Sequence, residues 1–249
     1  MNKTIVAAAF GIAALAAVQP AIAAPVPVDL STWTAEGPGT WVVQPGNDAV
    51  LQTLNGNPTV FYSPTNAQNT AINGKIQVTT GSDDDFIGFV LGYNPGDLGN
   101  AAANYILIDW KQGTQGSFSC SADAGLAISQ VSGTLANNSG AWCHDPLNNV
   151  TELQRAANLG ATGWADNIEY DFEIIFTATN ITVSVDGVEE LNINGVFTDG
   201  RVGFYNYSQQ SVLYSAIEEQ AVLPEPASVG LVGLGLVGLG FAARRRSAR

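Results

Sequence analysis

Three kinds of residue are scarce in this 249-residue chain, which has two cysteines, one histidine and nine lysines and arginines. Two cysteines and one histidine do not supply the spaced ligands of a structural zinc site. A single histidine, His144, without a Gly-x-Ser-x-Gly segment before a helix, argues against a Ser–His–Asp hydrolase. A glycine-rich phosphate loop is missing as well. His144 is a candidate ligand or base, and a polar loop position is the simpler interpretation.

Positive charge is scarcest between residues 25 and 222, where Lys75, Lys111, Arg155 and Arg201 face 21 acidic side chains. The net charge of this region is therefore −17, which argues against nucleic acid and anionic lipid as partners. Such a charge suits divalent cations or a neutral polymer. Solubility alone is the alternative explanation for it.

The first 24 residues have the three parts of a signal peptide. Lys3 supplies the positive charge, Ile5 to Val18 are apolar, and Ala21-Ile22-Ala23 is a small-x-small cleavage pattern. The apolar stretch is too short to span a bilayer comfortably, so the pattern predicts a cleaved signal over residues 1–24.

The last 27 residues, 223–249, carry a second signal. Pro224-Glu225-Pro226 precedes 17 apolar residues, 227–243, and an arginine cluster follows, formed by Arg244, Arg245 and Arg246. This order resembles the PEP-CTERM sorting signal of Gram-negative bacteria; a plain C-terminal anchor is the alternative. The resemblance implies a transmembrane sorting helix, processing by an exosortase-type enzyme, and export to the cell surface or extracellular matrix through a membrane-anchored intermediate.

Residues 25–222 show almost no helical periodicity. Short runs of β-branched and aromatic residues alternate with Gly, Asn, Asp and Pro, which is typical of strands and turns. About a dozen strands predict one all-β domain, a two-sheet sandwich or jelly roll. The predicted strands are Trp41–Val43, Val50–Leu54, Thr59–Ser63, Gly74–Thr80, Phe86–Tyr93, Tyr105–Lys111, Gly125–Val131, Tyr170–Ala178, Ile181–Val185, Val188–Ile193, Arg201–Tyr207 and Val212–Glu218.

Two segments make this prediction more specific. Asp186-Gly187 separates two alternating runs and predicts a two-residue hairpin turn, because glycine tolerates a positive φ. The segment from Asn137 to Ala165 is the least strand-like, and a short helix is predicted around Thr151–Ala157. Export places Cys120 and Cys143 in an oxidising compartment, where we expect them to form a disulfide.

Asp83, Asp84 and Asp85 are the best metal candidates. Adjacent carboxylates repel one another unless a cation or solvent screens them, and Ca²⁺ takes six to eight oxygen ligands. Strand alternation sends Asp83 and Asp85 to one side and Asp84 to the other, so further donors are needed. The candidate donors are Asp109, Asp166 and Asp199; an acidic strand entry exposed to water is the alternative to a metal site.

Five tryptophans lie in the domain, and aromatic rings stack on sugars. Trp110 lies in an apolar strand and is predicted to be in the core. Trp142 and Trp164 lie in the long excursion and are the better ligand-binding candidates, with burial as the alternative.

Glu169-x-Asp171-x-Glu173 has the spacing of the catalytic strand of retaining β-glucanases. Its position before the Asp186-Gly187 hairpin disagrees with that family, which favours a charged, solvent-facing strand.

Six segments follow one another in a recognisable order, and they are Asp83-Asp-Asp-Phe-Ile-Gly-Phe-Val-Leu-Gly-Tyr93, Tyr105-Ile-Leu-Ile-Asp-Trp-Lys-Gln112, Ala124-Gly-Leu-Ala-Ile-Ser129, Gly163-Trp164, Gly200-Arg-Val-Gly-Phe-Tyr-Asn-Tyr-Ser-Gln209 and Val212-Leu-Tyr-Ser-Ala-Ile217. Together they resemble the C-terminal domain of thrombospondins, over roughly residues 30–219. The resemblance implies a lectin-like jelly roll of the concanavalin A type and an extracellular, calcium-associated module with adhesion roles, and it supports calcium at Asp83–Asp85. The Asp-rich calcium repeats and the adhesion motifs of animal members do not occur here.

The sequence therefore predicts an exported, non-catalytic surface or matrix protein. It is expected to bind extracellular polysaccharide or matrix, and calcium, in adhesion or a biofilm. A jelly-roll glycoside hydrolase using Glu169 and Glu173 is the alternative. A structural surface protein without a ligand is the third interpretation.

Overall fold

The computed structural model describes residues 21–223. Residues 1–20 and 224–249 lie outside the described residues, and with them most of the predicted signal peptide and the sorting-signal residues Pro224 to Pro226 and Arg244 to Arg246. The predicted transmembrane stretch, residues 227–243, also falls there. Within the described part of the chain, no helix is long and apolar enough to cross a membrane.

The described residues form 18 short strands, one short α-helix and two 3-10 turns. The helix, α1, covers Ser139–Cys143, and the 3-10 turns cover Leu30–Thr32 and Pro146–Asn148. The strands are β1 (Ala21–Ile22), β2 (Val26–Pro27), β3 (Thr34–Glu36), β4 (Trp41–Val43), β5 (Val50–Gln52), β6 (Thr59–Tyr62), β7 (Thr70–Val78), β8 (Phe86–Tyr93), β9 (Tyr105–Lys111), β10 (Gln115–Ser117), β11 (Cys120–Ala122), β12 (Gly125–Val131), β13 (Val150–Arg155), β14 (Glu169–Phe176), β15 (Asn180–Val185), β16 (Val188–Asn194), β17 (Arg201–Tyr207) and β18 (Val212–Leu223).

Most of the strands belong to two large sheets. The nine-stranded sheet runs in the order β16-β15-β14-β7-β18-β5-β4, with β1 and β2 paired to β18. The seven-stranded sheet runs in the order β13-β12-β9-β8-β17-β6-β3, and β10 and β11 form a separate hairpin. The central pairs are antiparallel. This arrangement confirms the predicted two-sheet sandwich.

The main core lies between the two sheets. In β15 the residues Ile181, Val183 and Val185 are buried while those between them are only partly covered, as the predicted alternation requires. Phe89 of the seven-stranded sheet meets Phe172 of the nine-stranded sheet, with ring centroids 4.6 Å apart. Aromatic contacts of this kind join the sheets and contribute about 0.5–1.5 kcal/mol each beyond the buried area.

The hairpin prediction is confirmed and the helix prediction is wrong. Asp186 and Gly187 have φ values of 50° and 76°, and they connect β15 to β16 as a two-residue turn. The segment predicted as a helix around Thr151–Ala157 forms β13, which pairs with β12 at the edge of the seven-stranded sheet. Glu, Leu, Gln and Arg are good helix formers, but edge pairing overrides this weak local preference.

The outer face of the seven-stranded sheet is covered as well as the inner one. Every residue of β8 and of β9 is buried, which is not expected for strands with one wet face. A second apolar cluster accounts for this burial, and it includes Leu98, Leu135, Ala141 and Trp142 from the excursions between strands. These excursions form the walls of the candidate functional site on the outer face of the seven-stranded sheet.

Candidate functional site

A cleft of about 240 Å³ lies on the outer face of the seven-stranded sheet, where the β10–β11 hairpin, α1 and β13 meet. We call it the α1 cleft. Its walls carry more polar than apolar groups, and an aromatic ring lies on each of β8 and α1. The residues around it are Phe86, Ser121, Ala122, Asp123, Trp142, Cys143, His144, Glu152 and Arg155.

The predicted disulfide fixes one wall of the α1 cleft. Cys120 at the start of β11 is bonded to Cys143 at the end of α1, with the two Cα atoms 6.4 Å apart. The side chain of Asn138 caps the other end of α1 by accepting a hydrogen bond from the backbone N–H of Gly140. The helix has only five residues, so the cap and the disulfide hold it in place rather than its own hydrogen bonds.

His144 joins the end of α1 to the sheet through two ion pairs. Its Nε2 lies 3.0 Å from Oδ2 of Asp109, and its Nδ1 lies 2.9 Å from Oε2 of Glu152. Burial opposes the charged ring, but the two carboxylates outweigh it and raise the pKa of His144 to about 9. The hydrogen bond from His144 also outweighs the partial burial of Glu152 and, with Arg155, lowers the pKa of Glu152 to about 2.

These contacts decide between the two interpretations of His144. Both ring nitrogens donate to carboxylates, so the imidazolium has no free lone pair for a metal ion or for proton abstraction. His144 also has a left-handed backbone, with φ 54° and ψ 46°, at the end of α1. His144 is therefore a buried structural cation that pins the excursion to the sheet.

Lys111 supplies a second buried cation beneath the α1 cleft. Its Nζ lies 2.5 Å from Oδ1 of Asp85 and 2.8 Å from Oε1 of Gln115. The same atom lies 5.0 Å from the ring centroid of Phe86 and 4.7 Å from that of Trp142. Cation–π attraction of this kind strengthens when the groups are desolvated. Lys111 thus holds the Trp142 ring in a fixed position at the wall of the α1 cleft.

The two candidate ligand-binding tryptophans lie in different surroundings. Trp142 is 9% exposed and lines the α1 cleft. Trp164 is 2% exposed, and its Nε1 donates to the backbone oxygens of Asp85 and Trp110. The structure corrects the prediction for Trp164, because its ring belongs to the main core and presents no face to a ligand. Trp110 is buried, as predicted.

The three aspartates meet at the entry to β8. One carboxylate oxygen from each of Asp83, Asp84 and Asp85 lies within 4.8 Å of the others. The predicted alternation of their side chains is wrong, because Asp83 has a φ of 94° and the segment before Phe86 is not a strand. Burial and repulsion by Asp85 raise the pKa of Asp83. A bound cation would relieve this repulsion.

Only one of the candidate further donors lies near this cluster. Gln112 donates a side-chain hydrogen bond to Asp166 and its backbone N–H to the carbonyl of Asp84, which brings Asp166 to the same edge. Asp109 is instead paired with His144. Asp199 precedes β17, whose pairing with β8 places it at the opposite end of that strand from Asp85.

Sequence reasoning missed the tip of the β10–β11 hairpin. Ser117 pairs with Cys120, so Phe118 and Ser119 form a two-residue turn, and their φ values are 50° and 64°. Asn-Gly or Asp-Gly usually occupies such a turn, since positive φ in other residues costs on the order of 1 kcal/mol each. Phe118 is 44% exposed there. The signal in the sequence was a lone aromatic residue between two serines, two positions before a cysteine.

The comparisons with known proteins identify the domain. Residues 36–222 match the family model of the thrombospondin C-terminal region. The chain belongs to this family. Residues 222–246 match the PEP-CTERM protein-sorting motif, which confirms the second resemblance seen in the sequence. This motif implies that the thrombospondin C-terminal domain is exported to the cell surface of a Gram-negative bacterium.

The curated relatives are much longer animal proteins. Thrombospondin-3b of Danio rerio is 24% identical over 197 residues, covering 70% of this chain and 20% of the relative. Thrombospondin-2 of Gallus gallus is 23% identical over 209 residues, covering 78% of this chain and 17% of the relative. The chain therefore spans about a fifth of the length of these relatives.

Solved structures show the same fold at low sequence identity. The carbohydrate-binding module CBM66 of Bacillus subtilis superimposes with a TM-score of 0.53 at 10% identity, covering 76% of this chain and 96% of the module. The Ca²⁺/Man2-bound exoplasmic/lumenal domain of VIP36 gives a TM-score of 0.51 at 12% identity, covering 78% and 82%. The thrombospondin C-terminal domain thus has a lectin-like jelly roll.

The alternative catalytic strand lies on the other sheet of this thrombospondin C-terminal domain. Glu169, Asp171 and Glu173 alternate with more buried residues along β14, as predicted. Lys75 lies directly opposite Asp171 in β7 and forms ion pairs with Glu169 and Asp171. Neither glutamate lines the α1 cleft. The arrangement is that of a cross-strand salt-bridge face in contact with solvent.

Proposed function

We propose that this domain is a non-catalytic carbohydrate-binding module displayed on the cell surface or in the extracellular matrix. The α1 cleft carries the proposal, because it combines the Trp142 ring with Asp123, Glu152 and Arg155 in one small polar cavity on a lectin-like sandwich. Sugars offer hydroxyl groups that pair with charged side chains and C–H faces that pack on aromatic rings. Of the two predicted ligand-binding tryptophans, only Trp142 lines the α1 cleft, so the proposed site includes Trp142 and not Trp164.

The negative charge of the domain limits which polysaccharides we expect it to bind. Four cations face 21 acidic side chains between residues 25 and 222, which makes the surface strongly acidic. At the α1 cleft itself His144 and Arg155 are paired with Glu152, and Asp123 adds a further carboxylate, so the cleft offers no unpaired cation to an acidic sugar. Acidic polysaccharides would be repelled at physiological salt. We therefore expect neutral or amino-bearing polymers to bind.

The structural neighbours support the same class of ligand. CBM66 is a carbohydrate-binding module, and the VIP36 domain was solved with Man2. The resemblance is one of fold, so it supports a sugar ligand without identifying which sugar. A mannan is the first probe because of the VIP36 complex.

We further propose that Asp83, Asp84 and Asp85 hold Ca²⁺ together with loop carbonyls and, at the same edge, Asp166. The residues fit a hard cation, since their carboxylates converge and the pKa of Asp83 is raised by burial and by Asp85. Asp85 also pairs with Lys111, so Asp83 and Asp84 would supply most of the negative charge. VIP36 was solved with Ca²⁺ as well. The ion would stabilise the entry to β8 beside the α1 cleft.

Display on the surface links the proposed binding to adhesion or to a biofilm matrix. The sorting motif is expected to deliver the chain through a membrane-anchored intermediate and an exosortase-type enzyme. A polysaccharide-binding domain delivered in this way would attach the cell to neutral exopolymers. Multiple copies on one surface would raise the effective affinity for a long polymer.

Glycan binding by the purified domain tests the proposal. Yeast mannan, dextran, laminarin and chitosan are presented with alginate as the acidic comparison. Asp123 is exposed at the α1 cleft and lacks the ion-pair role of Glu152, so Asp123→Asn should weaken binding about three- to tenfold without loss of folding. Asp171→Asn on the other sheet removes the same charge and should leave binding unchanged.

The two remaining interpretations predict different results. A purely structural protein would bind none of the polymers. A hydrolase using Glu169 and Glu173 would release reducing sugar from a β-glucan such as laminarin, and Glu169→Gln would abolish that release.

A further inference from the structure

We propose that Phe118, at the tip of the β10–β11 hairpin, is the residue on which a pyranose ring of the polysaccharide stacks as it enters the α1 cleft. The inference rests on the proposed carbohydrate-binding function and assigns the contact that gives the site its aromatic platform. Its ligand class is a neutral or amino-bearing polymer of pyranose sugars.

Exposure distinguishes Phe118 from the other aromatic residues. Among residues 23–222, whose side chains the structure describes, the large apolar side chains that are exposed are otherwise aliphatic, and Phe118 alone is aromatic. It is 44% exposed, whereas Trp142, whose ring it contacts, is buried. The exposed part of this ring, at the tip of a hairpin, contributes nothing to folding through burial. Its surface is therefore available for a ligand.

The position of Phe118 places it beside the α1 cleft. Its ring centroid lies 6.3 Å from that of Trp142, with the planes 69° apart. Trp142 and Ser121, three residues after Phe118, both line the cleft. The two rings thus form a corner, one side of which is open to solvent. A sugar packed on the open side of Phe118 would have Asp123 and Ser121 within the same site as partners for its hydroxyl groups.

The hairpin holds Phe118 in place in a strained backbone conformation. Phe118 and Ser119 adopt positive φ values that glycine or asparagine would adopt with less strain. Cys120, next in the chain, is tied to Cys143 by the disulfide, and Gln115 at the base of the hairpin accepts a hydrogen bond from Lys111. Strained residues persist where the surrounding structure fixes them, and such positions cluster at ligand-binding sites. A preorganised ring loses little conformational freedom on binding.

Affinity electrophoresis tests this inference with the whole exported domain. Native gels contain yeast mannan, dextran, laminarin or chitosan, and the retardation at several polymer concentrations gives a dissociation constant. Phe118→Ala should weaken binding about tenfold, and Phe118→Trp should restore it to within about twofold, because a larger ring still stacks. Val196→Ala is the matched control; Val196 is 97% exposed in the segment between β16 and β17 and should not change binding.

The outcomes separate this inference from the proposed function. If the wild-type domain is retarded and Phe118→Ala is retarded equally, Phe118 is not the stacking residue, although the binding function stands. If none of the four polymers retards the wild type, the proposed function fails and the inference fails with it. Loss of binding in both Phe118→Ala and Phe118→Trp would also contradict stacking. Thermal unfolding of each variant, expected to match the wild type closely, shows that the fold is retained.

Discussion

The ammonium of Lys111 and the carboxylate of Asp85 form an ion pair with the Nζ atom 2.5 Å from Oδ1, and both side chains are almost completely buried. This pair connects the aspartate cluster at the entry to β8 with the aromatic wall of the α1 cleft, because Lys111 also lies over the rings of Phe86 and Trp142. A buried charge is tolerated only when it is paired and hydrogen-bonded. The two candidate sites therefore share one structural support.

Removing one partner of this pair should destabilise the domain strongly. Lys111→Met leaves the carboxylate of Asp85 buried without its cation, and we expect the free energy of unfolding to fall by about 3–5 kcal/mol. Urea denaturation measures the change. Lys75→Met removes the exposed cation that pairs with Glu169 and should have a much smaller effect. Equal decreases in the free energy of unfolding for the two variants would contradict the conclusion that the buried Lys111–Asp85 pair matters more than the exposed one.

The stability of the domain should fall as the pH rises from about 6.5 to 9.5. Because the folded state raises the pKa of His144 to about 9, its ion pairs contribute fully below the ordinary pKa of 6.5 and are lost as the pH rises through about 9. The difference is on the order of 3 kcal/mol for a shift of this size. Unfolding curves in urea at successive pH values measure it. His144→Gln should make the free energy of unfolding less dependent on pH over this range. If the variant keeps the pH dependence of the wild type, a group other than His144 causes it.

Loss of the disulfide should weaken the excursion that forms the α1 cleft. Cys120 and Cys143 close a loop with a sequence separation of 23, and the double substitution to serine should lower the free energy of unfolding by about 3 kcal/mol. Reduction of the wild type with dithiothreitol should give the same loss. The serine variant should not respond to the reductant, and a response would indicate an effect unrelated to this bond.

Calcium should stabilise the domain through the aspartate cluster. An ion present at a hundred times its dissociation constant adds about 2.7 kcal/mol, which raises the melting temperature by roughly 5–10 °C for a domain of this size. Differential scanning fluorimetry with CaCl₂ and then EDTA measures the shift. The double variant Asp83→Asn, Asp84→Asn should show none. Asp199→Asn, at the far end of β8, should keep the full rise in melting temperature with CaCl₂. If neither CaCl₂ nor EDTA changes the melting temperature of the wild type, the proposed calcium site is wrong.

Most of the strands could be predicted from the sequence because a run of β-branched and aromatic residues bounded by turn residues is a local signal. The limits of β8, β9, β12 and β17 agree with the prediction, and the turn at Asp186-Gly187 is recognised from two residues. The segment of β13 could not be predicted, since its residues favour a helix when considered alone. Its pairing with β12 depends on the rest of the seven-stranded sheet.

The candidate site was only partly predictable. The sequence marked Trp142, the aspartate cluster and the two cysteines as notable, but not the exposure of Phe118, which depends on the hairpin geometry. Trp164 was a ligand-binding candidate because it lies in the long excursion, with burial as the other interpretation. Its ring instead lies in the main core, 79 residues away in sequence from Asp85, whose carbonyl accepts its N–H.

The sequence by itself determined the class of this protein: an all-β, acidic, exported domain of the thrombospondin C-terminal family with a sorting signal. These properties depend on composition, on short-range alternation and on contiguous motifs. Only the tertiary structure decided which polar groups are paired in the interior, including His144 with Asp109 and Lys111 with Asp85. Those pairs join residues 26 and 35 positions apart: the pairing of β8 with β9 brings Lys111 to Asp85, and the folding of the excursion over the sheet brings His144 to Asp109.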